Sequence, residues 1–162
     1  MKRKFALILV LSTLFSLAAC GKEEAPEPAT LGQELYSSFT AKVNSGETDA
    51  QLIADALLSE GPLPFEGGVS APVEEGFLMG FTADITGFEK AVMFGPAIGA
   101  IPFVGYVFEL SSAEDCEAFC AMLLENCDMR WNICTEADET VCGSAENLVF
   151  FVMCANEGGE AE

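Results

Sequence analysis

Six cysteines, at positions 116, 120, 127, 134, 142 and 154, are the side chains best suited to chemistry in this 162-residue chain, because it contains no histidine. Without imidazole, Ser-His-Asp and Cys-His catalysis, histidine metal sites and the usual general base near neutral pH are excluded. Cys116, Cys120 and Cys127 fall within about 40° of one another at the 3.6-residue helical period. With Cys134 further on, three thiolates on one stripe could ligate zinc or an iron–sulfur cluster. No CxxC pair is present, however, and three, six and six intervening residues match no metal motif. The same cysteines sit on an apolar arc with Phe119 and Leu123, and free cysteine packs as a small hydrophobe. Core packing is therefore favoured over metal, and no cofactor is expected in the domain. Cys134 and Cys142 differ, because they bracket the polar run Thr135 to Val141. A disulfide closing that loop would contribute on the order of 2–3 kcal/mol.

The other reactive groups are carboxylates. Glu136, Asp138 and Glu139, beside Thr135 and Thr140, could offer oxygen ligands to calcium, but the run lacks the spacing and central glycine of an EF-hand loop. A solvated acidic loop is favoured. Arg130 and Trp131 precede it and could join Glu136, Asp138 and Glu139 in a ligand loop. Against this, a tryptophan just past a helix end often serves as a core lid. Gly95 to Pro102, with two glycines and two prolines, is either a binding loop or a backbone bend. Paired carboxylates could also serve a small hydrolase. Acids are so abundant that no pair stands out, so the enzyme class is the weaker one.

The N-terminus has its own logic. Lys2, Arg3 and Lys4 precede an almost wholly apolar stretch from Phe5 to Leu17, which ends in Leu-Ala-Ala-Cys20. That stretch is too short to cross a bilayer, which takes roughly 20 residues. The pattern resembles the signal peptide and lipobox of bacterial lipoproteins. The resemblance implies a cleaved leader over 1–19 and a diacylglyceryl group on Cys20. Two or three acyl chains, at about 0.8 kcal/mol per buried CH2, then hold the protein at the extracytoplasmic face of the cell membrane. Residues 20–29, with two prolines, read as anchor and tether, and 155–162 as a disordered acidic tail.

All 26 acidic residues lie beyond the leader beside only Lys22, Lys42, Lys90 and Arg130, a formal balance of −22. Such a surface repels phosphate backbones, so nucleic acid is excluded as a partner. The expected partners are the membrane, through the anchor, and an extracellular ligand or protein.

The elements that must position these groups follow from periodicity. Thr30 to Gln33 reads as a capping box opening a helix with Leu31, Leu35, Phe39 and Val43 inward. Thr48 to Gln51 reads as a second, with Leu52, Ile53, Ala56 and Leu57 inward. Residues 61–75, with three prolines, are expected as loop, 77–85 as strand-rich, and 87–95 as loop or short helix. The alternation over 103–110 predicts a strand. Ser111 to Glu114 predicts the start of a helix running to about Cys127, and Leu148 to Cys154 predicts a buried strand after a turn at 143–147. The order predicts one α+β domain over 30–154, a small, mainly antiparallel sheet with helices packed on one face.

Gly99 to Phe108, Arg130 to Glu139 and Leu148 to Cys154 together resemble small uncharacterised lipoproteins of Firmicutes. That resemblance implies an anaerobic, monoderm host and brings no activity or catalytic residues. The function expected is thus a lipid-anchored, non-enzymatic ligand- or partner-binding domain, with a thiol or metal protein using the clustered cysteines as its rival.

Overall fold

The computed structural model describes residues 30–132 and 134–155; the leader, Cys20, the tether and the tail from 156 lie outside them. The class is α+β. Helices α1 (Leu31–Asn44) and α2 (Ala50–Glu60) lead into strands β1 (Gly68–Val73), β2 (Gly76–Phe77), β3 (Asp84–Ile85), β4 (Lys90–Pro96) and β5 (Val104–Glu109). Helix α3 (Cys116–Asn126) follows a 3-10 turn, and β6 (Glu139–Ala145) and β7 (Leu148–Cys154) close the fold. Five strands form one antiparallel sheet in the order β1-β4-β5-β7-β6, and β2 pairs with β3 separately.

Side-chain alternation divides the core into two layers. Val92, Phe94, Val107, Phe150 and Val152 meet Leu35 and Phe39 of α1 and Ile53 and Leu57 of α2. Tyr106, Phe108, Val149 and Phe151 point the other way, onto Cys116, Phe119 and Leu123 of α3. The helices therefore cover both faces of the sheet, not one, because the fully apolar β7 has two faces to bury. α1 and α2 share the first face, α1 over β6 and β7 and α2 over β1, β4 and β5. On the second face α3 lies over β6 and β7 and touches β5 through Phe119 on Phe108, and much of the rest is left to the segment around Leu78, Phe81 and Ile85.

Two glycines make room for aromatic rings. A methyl group at Gly105 would lie 2.3 Å from the Phe94 ring, and one at Gly143 would lie 2.5 Å from Tyr36. Bare backbone at these strand positions lets the rings lie flat on the sheet.

Several local expectations are corrected. Residues 68–73 form edge strand β1; Pro72 is tolerated because an edge strand has an unpaired side. Residues 90–96 form β4, an inner strand. The 77–85 segment contributes only the short β2 and β3. The second helix is capped by Asp49, whose side chain accepts from the Gln51 and Leu52 N–H groups, so its buried residues are Ala50, Ile53, Ala54 and Leu57 while Leu52 is exposed. The capping box at Thr30 is present as expected. The helix after residue 111 is entered through Ser112, whose hydroxyl accepts from the Glu114 N–H. The Thr135–Val141 run ends inside β6, so Cys142 belongs to a strand and the turn shrinks to Glu146 and Asn147.

Candidate functional site

Where β4 ends and β5 begins, the second face of the sheet lies beyond the reach of α3. Val69, Met93, Gly95 and Val104 floor a cleft there of about 660 Å³. The loop from Ala97 to Ile101 forms one wall and Trp131, Asn132 and Cys134 another, with Met79 on the rim. The side-chain amide of Asn132 donates to the Gly99 carbonyl, which fastens the two walls together. The backbone N–H of Asp128 donates to the Gly80 carbonyl at 2.8 Å, and the Tyr106 hydroxyl donates to the Met79 carbonyl, also at 2.8 Å. The second bond holds the rim against β5, and the first ties it to the loop after α3. Burial pushes the Tyr106 hydroxyl well above its ordinary range, so it stays protonated as a donor.

The lining has a distinct chemistry. None of the described residues around the cleft is charged, although the domain is strongly acidic. Val69 and Met79 remain 45% and 50% exposed, and Ile98, on the adjoining loop, is 78% exposed. The polar groups on the lining side chains are the Asn132 amide, the Cys134 thiol and the indole N–H of Trp131. A volume in the few-hundred Å³ range with an apolar lining and few polar groups is the usual form of a small-molecule site.

The predicted ligand loop separates into parts. Trp131 reaches the cleft. Arg130 pairs with Glu136 at 3.5 Å, both largely exposed, a contact worth little in water. Glu139 turns inward: its carboxylate accepts from the Thr30 hydroxyl, from the Gly32 N–H at 3.0 Å and from the Cys154 thiol at 3.6 Å. It thus closes the positive N-terminal end of α1. The backbone N–H of Asp138 donates to the Cys154 carbonyl at 3.1 Å. Glu139 is thus engaged at the start of α1 and Glu136 with Arg130.

The predicted thiol site is also redistributed. Cys116 is buried, Cys120 and Cys127 are half-buried, and all three lie on the α3 layer. Cys134 is exposed at the cleft, away from them, and Cys142 of β6 takes its place in the group. Cys120 and Cys142 pack against the same core layer. Their interaction lowers the pKa of Cys120 and raises that of Cys142. Burial is the main cause raising Cys116 and Cys154, with the Glu139 charge next for Cys154. Among the described residues no three cysteine, aspartate or glutamate side chains are grouped to hold a metal ion.

Sequence reasoning missed Val69, Met79 and Met93, which come from segments with no strand signal or from a rim loop. The glycine- and proline-rich run at 95–102 and Trp131 were the local marks of the cleft. No protein-family model, curated protein or solved structure matches the chain.

Proposed function

We propose that this domain is a non-enzymatic binding module that takes a small, neutral, apolar molecule into the cleft beside Trp131, and that Cys20 carries a lipid holding it at the extracytoplasmic face of the membrane. The uncharged lining carries this reading. A chain with 26 acidic residues keeps every described one of them out of this cleft, so a charged or cationic ligand would find no partner there. The basic leader, the apolar stretch and Leu-Ala-Ala-Cys20 support the anchor. Anchoring would confine the cleft to the membrane surface, where sparingly soluble molecules are concentrated.

Native mass spectrometry of the full chain with a graded series of neutral alkanols tests the reading. Burial of each added methylene, at about 0.8 kcal/mol, should tighten a one-to-one adduct roughly fourfold until the cleft is full. Adducts of undefined stoichiometry, or no dependence on chain length, would sink it. Metabolic labelling with a fatty acid, lost in Cys20→Ser, tests the anchor separately.

A further inference from the structure

We infer that Cys120 and Cys142 form a dithiol–disulfide site, at which an external disulfide oxidises the pair to a bridge tying α3 to edge strand β6. Register and packing bring the two side chains to one interface. Cys142 stands directly opposite Phe151 on the neighbouring strand, and Phe151 belongs to the layer that α3 covers. Opposite residues in an antiparallel pair project to the same face, so Cys142 points at α3. Cys120 lies one turn beyond Cys116, the buried cysteine on the sheet-facing side of that helix. Both Cys120 and Cys142 pack against the same apolar cluster, where α3 lies against β6, and their thiols interact there.

Cys120 and Cys142 are half-exposed, whereas Cys116 and Cys154 are buried; Cys127, also half-exposed, donates instead to the Leu124 carbonyl, and Cys134 lies at the cleft. The neighbouring Cys142 thiol favours a thiolate on Cys120, and thiolates are the species that attack disulfides. The order of events follows. The Cys120 thiolate attacks one sulfur of an external disulfide; that S–S bond breaks, one small thiolate leaves, and a mixed disulfide forms on Cys120. Cys142 then loses its proton to water and attacks the Cys120 sulfur, expelling the second small thiolate. Two protein thiols are oxidised by two electrons, and one disulfide is reduced to two thiols. The site is independent of the cleft and of any ligand in it.

The test is oxidation of the full chain with oxidised glutathione, followed by alkylation, proteolysis and mass mapping. The expected product lacks two of the six domain thiols, yields a peptide pair joined through Cys120 and Cys142, and melts roughly 5–10 °C higher than the reduced chain. Cys142→Ser should trap glutathione on Cys120, and Cys120→Ser should leave Cys142 unmodified. A bridge using Cys116, Cys127 or Cys134 instead would overturn the inference. So would six thiols that stay alkylatable, or glutathione found on Cys134 alone. The wild-type map decides the matter should either serine variant fail to fold.

Discussion

Gly105→Ala offers a sharp check on the packing of the first core layer. Elsewhere in a strand, replacing glycine by alanine lowers the entropy of the unfolded chain and stabilises by about 0.4–1 kcal/mol. Here the added methyl would stand 2.3 Å from Cζ of Phe94 and 2.6 Å from both Cε atoms. The Phe94 ring is fully buried, with Phe103 and Phe150 at centroid distances of 5.8 and 6.3 Å, so it cannot swing aside without moving them. Gly105 is also paired directly with Phe94 across two inner strands, which limits backbone relief. Overpacking of this kind costs about 1–3 kcal/mol, and the rigid surroundings place this case near the upper figure. For a domain of this length that is a fall in Tm of about 10 °C. Urea unfolding of Gly105→Ala, Phe94→Leu and the double variant measures it. The double variant should be at least ~1 kcal/mol more stable than additivity predicts, because Phe94→Leu removes the colliding ring edge. A stabilised Gly105→Ala, or strict additivity, would refute the packing described.

Further expectations concern the α1 terminus and the buried acids. Glu139→Ala leaves the Gly32 N–H and the Thr30 hydroxyl without their acceptor, so urea unfolding should show a loss of about 1–3 kcal/mol, whereas Glu136→Ala, which breaks only the exposed contact to Arg130, should stay within ~0.5 kcal/mol. Burial raises the pKa of both Cys154 and Tyr106 in the folded protein. Their contribution to stability is therefore complete below the unfolded values, about 8.5 and 10, and is lost as pH rises beyond them toward the folded values. Denaturation at graded alkaline pH should show stability falling, and a flat or rising profile between roughly pH 9 and 11 would contradict it.

What the sequence disclosed depended on how local the signal was. α1, β5 and β7 were legible because a capping box, an alternation and an unbroken apolar run each reside in one short segment. β1 was hidden by Pro72, whose tolerance depends on being at a sheet edge, a property of the assembled sheet. β4 was hidden because Gly87 and the Gly95-Pro96 pair read as punctuation, although Gly95 and Pro96 are the last two residues of that inner strand. The arc on α3 could be read, but not the face it would cover, since that depends on β7 being apolar on both sides. The cleft was the least legible feature. Its floor joins Val69, Met93 and Val104 from three strands and its wall comes from Trp131, residues whose proximity is set by register. The Cys120–Cys142 contact is of the same kind: nothing in a spacing that long signals it, and the pairing of β6 with β7 creates it.

The neutral, apolar cleft is most directly tested through Trp131, the only tryptophan in the chain and part of the cleft wall. Its fluorescence should respond saturably, at one site per chain, to titration of the full chain with the uncharged probe N-phenyl-1-naphthylamine. Val69→Glu places a carboxylate on the cleft floor at a position already 45% exposed, so the fold should persist while affinity falls at least tenfold. Saturable binding that Val69→Glu weakens in this way is the predicted result. A tryptophan signal that never changes, or binding that Val69→Glu leaves untouched in a folded chain, would contradict the account.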